Sequence, residues 1–207
     1  AAEFMRRGNH AAAPENLLIV ARLVEQMARI IDPLKSFSRK SSASPAATDV
    51  GRVVDQALFL YQLRVRHDRA RVDNRVAAGQ WTAWCDANRL EQVLVNLVGN
   101  ALDAMRDADP RVLTLSAEHR KVAGVPMVAL TVRDSGKGLS ETDQRRLFEP
   151  FYTTKPGGAG LGLGLAICRD LAAEFGGDLR AHNHPDGGAC FVPVSYTHLR
   201  AHEASLH

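Results

Sequence analysis

The chain has 207 residues, of which 45% are hydrophobic and 24% are charged. This composition fits a soluble globular protein with one full domain and an appendage, and such a length can bury a core. The formal net charge of +3 includes no long Lys/Arg block, so charge alone demands neither a nucleic-acid nor a membrane partner, and we expect no nucleic-acid partner. No apolar run approaches the ~20 residues that span a bilayer, and the start lacks a signal-peptide pattern.

Both ends of the chain look artificial. Residues 1–4, ahead of Met5, resemble a vector scar, and with residues 5–13 we assign them to scar and loop. Residues 195–207 are rich in histidine, lack periodicity and resemble vector-derived sequence, so we exclude their histidines as ligands. The chain's cysteines are far apart and lack the paired spacing of metal ligands, which indicates buried reduced thiols in a cytosolic compartment: Cys85, Cys168 and Cys190.

The segment 14–40 has the apolar pattern of a helix that pairs with another helix. Its apolar residues recur at alternating steps of three and four, as in a coiled-coil seam: Leu17, Val20, Val24, Met27, Ile31 and Leu34. Ordinary core packing would give the same stripe, but no helix precedes this one. Serines and a proline in 41–47 predict a linker, followed by a second domain over 48–194.

The second domain has the pattern of an α/β fold. Thr48 and Asp49 predict the cap of a helix that ends near His67 and carries Leu60 and Tyr61 among its apolar residues. Further helices are predicted at 90–105, 140–148 and 161–175, and strands at 71–76, 81–85, 112–118, 127–133, 179–181 and 189–192. This order predicts a two-layer α/β sandwich, with helices on one side of a mixed sheet.

The predicted helix Leu90–Met105 has an unusual polar face. That face carries amides and carboxylates rather than the usual Lys, Glu and Arg: Gln92, Asn96, Asn100, Asp103 and Asp107. Each Asn lowers helix propensity by roughly half a kcal/mol, so its repeated use requires a reason. We predict that this face lines a nucleotide site. The amide oxygen of Asn100 is a neutral hard ligand that suits Mg²⁺.

Two glycine-bearing stretches provide the other predicted walls of this site. Asp134 stands at a predicted strand end, and Gly136 and Gly138 after it would let a flat ring approach a carboxylate that accepts a hydrogen bond from an exocyclic amine. An ordinary Asx turn is the alternative. The second stretch, 157–164, has alternating glycines and leads into a helix, so its backbone N–H groups suit a phosphate.

The glycine run matches neither a P-loop, since no Gly-Lys-Ser/Thr follows, nor a Rossmann fingerprint. A flexible linker is the alternative, although Leu161, Leu163 and Leu165 lead straight into an amphipathic pattern. The intervening loop predicts a lid. Phe148 and Phe151 would hold its ends, while the residues that follow bring hydroxyls and a positive charge toward the phosphates: Thr153, Thr154 and Lys155. A packed surface loop with an exposed lysine is the alternative.

Four stretches in this order resemble the N, G1, F and G2 boxes of sensor histidine kinases of the GHKL ATP-binding superfamily: NLVGNALDAM, DSGKG, FEPFYTTK and GLGLGLAI. The resemblance covers about residues 14–192, and the LKSFSRK and FYTTKPGGAGLGLGLAI segments are most similar to dicarboxylate-transport and nitrogen-regulatory sensor kinases. It implies a Bergerat-type fold of a mixed sheet under three helices, with 14–40 as the second helix of the dimerisation and phosphotransfer hairpin.

The resemblance also implies ligands and site residues. ATP and Mg²⁺ are the implied ligands, with Asn100 contacting the metal and Asp134 binding adenine, and Asp103, Gly136 and Gly138 nearby. The implied phosphate-binding residues are Gly160, Leu161, Gly162, Leu163 and Gly164, under the Thr153–Lys155 lid. Asn96 and Lys155 are the expected catalytic residues.

The implied reaction passes the ATP γ-phosphate to a hairpin histidine and then to an aspartate of a response-regulator receiver domain. Full-length relatives are dimeric membrane sensors, so we expect a cytoplasmic domain of an inner-membrane protein. The acceptor histidine of the family is followed by an acidic residue and a downstream proline, and no histidine ahead of the predicted tail has that context: His10, His67, His119, His182 and His184. We therefore expect no autophosphorylation of this chain alone.

Two alternatives to the kinase interpretation follow from the same residues. Hydrolytic GHKL relatives place a Glu one turn before the metal Asn, where this chain has Asn96, an amide that cannot act as a base. A GHKL ATPase is the first alternative. Because Asn96 replaces the Glu, we expect ATP hydrolysis by this chain to be slow or absent. A nucleotide-binding interaction module without catalysis is the second.

Overall fold

A computed structural model describes residues 44–122, 125–155, 161–174 and 176–196. The predictions for the scar, the 14–40 helix and most of the tail lie outside these ranges. Within them, every helix is too short or too polar to cross a bilayer.

In the part of the chain that the structure describes, seven strands form two sheets: β1 (Ala46–Asp49), β2 (Arg71–Asn74), β3 (Thr82–Cys85), β4 (Val112–Val122), β5 (Val125–Asp134), β6 (Asp178–Asn183) and β7 (Ala189–Tyr196). Strands β1 and β3 form an antiparallel pair, and the others form a five-stranded sheet in the order β2-β4-β5-β7-β6. Because β2 and β4 are parallel while the remaining pairs are antiparallel, the sheet is mixed, as predicted.

The helices are α1 (Val50–His67), α2 (Ala87–Ala104), α3 (Glu141–Arg146) and α4 (Gly164–Glu174). Each of the first three begins at a side-chain cap. The Asp49 carboxylate accepts N–H bonds at the start of α1, Asp86 does so for α2, and Ser140 forms a capping box with Asp143 at α3. The Thr48 hydroxyl, predicted as a possible cap, instead donates to the Cys85 carbonyl across the small sheet.

The main core lies between the helices and one face of the five-stranded sheet. Strand residues that alternate along β4 and β5 point into it, among them Leu113, Leu115, Leu130 and Val132. The opposite face has a small cluster of Met127, Ala129 and Val192. These two layers confirm the predicted α/β sandwich. All three cysteines are buried and free, also as predicted.

Several element boundaries differ from the prediction, and Leu60, one of the apolar residues carried by α1, is 61% exposed. Helix α4 begins at Gly164 rather than near Leu161, because Gly162 has a φ of +67° that an α-helix does not accept. Helix α2 ends at Ala104, so Asp107 lies beyond its polar face.

The remaining correction concerns strand ends. Strand β1 begins at Ala46, inside the predicted linker 41–47, because its edge pairs with β3. Strand β7 continues through Ser195 and Tyr196, the first residues of the predicted tail, because both pair with β5. Both strands are extended by hydrogen bonds to strands that are distant in sequence, and a local sequence pattern does not predict such pairing.

Candidate nucleotide-binding site

Helix α2 places three of the predicted site residues on one stripe. Its apolar face is buried in the core from Leu90 to Leu102, as the periodicity predicted. Asn96, Asn100 and Asp103 lie on the other side and are half-buried. The structure therefore places these amides and the carboxylate together on one partly buried stripe of α2.

Asp134 ends β5 at the C-terminal end of α2 and is only 1% exposed. Its Oδ1 accepts the N–H groups of Gly136, at 2.8 Å, and of Ala189, at 3.3 Å. Burial raises the pKa of this carboxyl, although the two N–H donors oppose the shift. A Cβ at Gly136 would lie 2.6 Å from the Ala104 carbonyl oxygen, so this position needs a glycine to pack on the end of α2.

Gly188 is a residue of the candidate site that the sequence analysis did not name. It has a φ of +81°, and a Cβ built there would overlap the Asp134 carbonyl oxygen. Only a glycine therefore lets the β6–β7 turn approach closely enough for the Ala189 N–H to reach the Asp134 carboxylate. The Gly187-Gly188 doublet just before the last strand was the available signal.

Asn96 lies at the other end of the polar stripe, beside the beginning of α4. A Cβ at Gly164 would lie 2.9 Å from Asn96 Oδ1, so these two residues are in direct contact. Nearby, the Cys168 thiol donates to the Val93 carbonyl of α2 at 3.9 Å, and burial raises the pKa of this thiol to about 12. That thiol therefore stays protonated at neutral pH and acts as a packing group.

Only residues 161–164 of the glycine run, which the sequence predicts to bind phosphate, lie within the described part of the chain. The structure shows Leu163 buried in the core and Leu161 at the surface, so any contact of Leu163 with a ligand must come from its backbone. Gly160 and the preceding glycines lie outside the described ranges. Gly162 is in the left-handed region, and its carbonyl accepts the Phe151 N–H at 2.9 Å.

The lid is held differently from the prediction. Phe148 packs against the core, but the Phe151 side chain is 73% exposed, and Phe151 holds the loop through its backbone N–H alone. Tyr152 replaces it, because its hydroxyl donates to Asp143 Oδ1 at 2.7 Å. Thr153 and Thr154 are exposed beyond this point.

Lys155 folds back onto the polar stripe of α2. Its Nζ donates to Asn100 Oδ1 at 3.0 Å and to Asp103 Oδ2 at 2.5 Å. The other oxygen of Asp103, Oδ1, accepts from Arg64 Nη2 on α1 at 2.5 Å. Burial favours the protonated Asp103, but the two cations more than offset it, and the pKa of this carboxyl lies below its ordinary value. The sequence placed Lys155 near the phosphates and did not find Arg64, which no motif marks.

The donor set at Asn100 is compatible with Mg²⁺. One amide oxygen and one carboxylate already hold a cation, the Lys155 ammonium. Among the described residues, no group of three His, Cys, Asp or Glu side chains forms a dedicated metal cage. Mg²⁺ characteristically binds through one or two protein oxygens together with substrate phosphates and water.

Comparisons with known proteins agree with this geometry. The family model described as "Histidine kinase-, DNA gyrase B-, and HSP90-like ATPase" matches residues 85–198. The C4-dicarboxylate transport sensor protein DctB of Rhizobium meliloti (strain 1021) is 37% identical over 89% of this chain and 29% of its own length. The nitrogen regulation protein NtrY of Azorhizobium caulinodans is 29% identical over 85% of this chain and 22% of its own length.

Solved structures show the same fold. The catalytic domain of the histidine kinase ThkA, in a nucleotide-free form, aligns with a TM-score of 0.63 and 25% identity over 74% of this chain and 96% of that domain. Full-length ShkA in complex with AMPPNP aligns with a TM-score of 0.68 and 26% identity over 85% of this chain and 36% of ShkA.

The fold is therefore that of a histidine kinase catalytic domain. The chain belongs to the histidine kinase-, DNA gyrase B- and HSP90-like ATPase family, and its relatives include the dicarboxylate-transport and nitrogen-regulatory sensors that the sequence indicated. It spans less than a third of the length of these curated relatives.

Proposed function

We propose that this domain binds ATP with Mg²⁺ and presents the γ-phosphate to a histidine of the phosphoacceptor hairpin. The observation that carries the proposal is the order of contacts along α2. Gly136 and Asp134 meet its end at Ala104, Lys155 contacts Asn100 and Asp103, and Gly164 contacts Asn96. Eight residues of helix span about 12 Å, a length suited to a nucleotide running from its base to its phosphates.

Each part of the stripe has a chemical task in this proposal. Asp134 Oδ1 is occupied by two backbone N–H groups, so we assign Oδ2 to the exocyclic amine of adenine. The backbone N–H groups at the start of α4 face the phosphates with the positive end of the helix dipole. Asn100 would hold Mg²⁺, which neutralises phosphate charge when bound. Asp103 keeps the Lys155 ammonium beside the same part of α2.

The transfer itself is a displacement at phosphorus. A histidine ring nitrogen forms the new N–P bond as the bond from the γ-phosphorus to the β,γ-bridging oxygen breaks, and ADP leaves with that oxygen. The protein's contribution is positioning and charge: Lys155 and the α4 N–H groups stabilise the transferred group's oxygens. The phosphoryl group then passes to an aspartate of a response-regulator receiver domain.

We place this domain in a dimeric sensor protein, on the cytoplasmic side of a membrane. The support is the resemblance to sensor histidine kinases, whose full-length members are dimeric membrane sensors. No histidine ahead of residue 195 has the acceptor context described above, so the isolated chain is expected not to phosphorylate itself. Radiolabelled phosphate retained stably on a histidine of this chain would contradict that expectation.

Asn96 favours transfer over hydrolysis. A general base is needed to activate water, and the Asn96 amide, packed against Gly164, has no basicity at neutral pH. We therefore expect turnover of excess ATP to be slow or absent. A steady-state hydrolysis rate comparable to that of a working ATPase would favour the ATPase alternative instead.

Calorimetric titration tests the nucleotide assignment directly. Asp134→Ala should weaken binding of ATP in the presence of Mg²⁺ by about 1–3 kcal/mol, the usual effect of removing a buried hydrogen-bond partner. Asp170→Ala is the matched control, because Asp170 is an exposed carboxylate on α4. Equal ATP affinity of the wild type and Asp134→Ala would remove the adenine assignment, and binding by neither protein would contradict the proposed function.

A further inference from the structure

Arg64 lies outside every motif that the sequence analysis identified, yet it connects two helices at the candidate site. On its own helix α1, Arg64 Nε donates to Asp68 Oδ2 at 3.2 Å. Across the interface, Arg64 Nη2 donates to Asp103 Oδ1 of α2 at 2.5 Å. The guanidinium is about one-third exposed, and the Asp103 side chain is 26% exposed. The guanidinium presents its donors in a fixed planar fork, so Nε and Nη2 each hold a different carboxylate.

The pair continues to the lid. Asp103 Oδ2 bonds the Lys155 ammonium, which in turn bonds Asn100 Oδ1. A continuous path of hydrogen bonds therefore runs from α1 to the end of the lid. Its two positive charges, on Arg64 and Lys155, balance the two negative charges on Asp68 and Asp103. Helix α1 is held close to α2 at this level, because the Tyr61 hydroxyl lies where only Gly99 leaves room for it.

This arrangement resolves an electrostatic difficulty. A polyphosphate placed between Lys155 and the start of α4 would lie beside the Asp103 carboxylate, which has the same sign of charge. Arg64 supplies the opposing charge and holds Oδ1, so that Oδ2 is directed at Lys155.

We propose that Arg64 is a positioning residue for the phosphate end of the nucleotide, because it neutralises Asp103 and through Asp103 fixes Lys155. The proposal rests on the function proposed above, in which phosphates lie next to Lys155. It assigns Arg64 a selective effect on ligands that carry a polyphosphate.

The test compares ATP with AMP, both with Mg²⁺, by calorimetry for ATP and by chemical-shift titration for the weaker AMP. Arg64→Gln should weaken ATP binding on the order of tenfold, which equals about 1.4 kcal/mol, and leave AMP within about twofold. Arg66→Gln is the matched control, since Arg66 is an exposed arginine on the same helix. Arg64→Lys keeps the charge without the fork and should lose less affinity than Arg64→Gln.

A double-mutant cycle isolates the path through Asp103. In an Asp103→Asn background no carboxylate remains to neutralise, so adding Arg64→Gln should change ATP affinity by less than about twofold. Circular dichroism establishes that each variant is folded before titration. An Arg64→Gln loss that persists undiminished in the Asp103→Asn background would overturn the proposed path.

The outcomes separate this inference from the proposed function. If ATP binds and depends on Asp134, but Arg64→Gln behaves like Arg66→Gln, the inference about Arg64 is wrong and the proposed function stands. If Arg64→Gln weakens ATP and AMP equally, the residue is structural and the inference is again wrong. If the wild type binds no ATP, the proposed function is wrong, and the inference about Arg64, which rests on it, is wrong as well.

Discussion

Replacing Gly188 by alanine perturbs the adenine end of the site at one defined point. Gly188 has a φ of +81°, a conformation that costs an L-residue roughly 1–2 kcal/mol. The added Cβ would also overlap the Asp134 carbonyl oxygen, so the β6–β7 turn must move away. That movement breaks the Ala189 N–H bond to Asp134 Oδ1 and leaves a buried carboxylate with one donor fewer, which costs about 1–3 kcal/mol more.

Gly187 provides an internal control for this prediction. It has a φ of +94°, but a Cβ built there has nothing within 4 Å. Gly187→Ala should therefore show the conformational cost alone, roughly 1–2 kcal/mol. Gly188→Ala should lose about 2–5 kcal/mol of unfolding free energy in total, the sum of the two terms.

Urea unfolding of the two variants, followed by tryptophan fluorescence, measures this difference. A parallel ATP titration should show that Gly188→Ala binds more weakly than Gly187→Ala, because only the former displaces a donor from Asp134. The reasoning is refuted if both variants lose the same unfolding free energy, since the contact with Asp134 would then have no energetic weight.

Two further predictions concern the lid and the charged cluster. Gly162→Ala should weaken ATP binding, because a Cβ there would overlap the Phe151 and Tyr152 backbone. Gly79→Ala is the matched control, since Gly79 has a φ of +80° and open space around it. Equal effects of the two substitutions on ATP affinity in calorimetry would refute the contact of Gly162 with the lid. The lowered pKa of Asp103 stabilises the fold above the ordinary aspartate pKa, and this contribution is lost as the pH falls through the lower folded value. The unfolding free energy of the wild type should therefore decline more steeply than that of Asp103→Asn between about pH 5 and pH 2, and parallel urea-derived profiles would contradict the pairing.

The sequence alone located helix α2 and the parts of the site that depend on local pattern. The spacing of Leu90, Val93, Leu94 and Leu97 fixed which face of the helix is buried, and the amides on the other face followed from it. Asp134 was found at the end of its strand because glycines mark the turn that follows. Such features are readable because helix and strand periods are properties of neighbouring residues.

The start of α4 and the ends of β1 and β7 were predicted less accurately from the sequence. Gly162 looks like any other glycine in the run, but its left-handed φ delays the helix to Gly164. Strand β1 has only four residues, and it forms because β3 offers an edge to pair with. Ladder bonds come from a distant segment, so short strands have little signal of their own.

Only the tertiary structure decided how the charged groups pair. Lys155 lies 52 positions from Asp103, and Arg64 lies 39 positions from the same carboxylate. Gly188 likewise acts through Asp134, on a different strand. The sequence supplied the residue types and the faces of the elements, but packing of α1 against α2 and the contact of Lys155 with α2 determined which opposite charges meet. Coulomb attraction depends on distance through space, which chain separation does not specify.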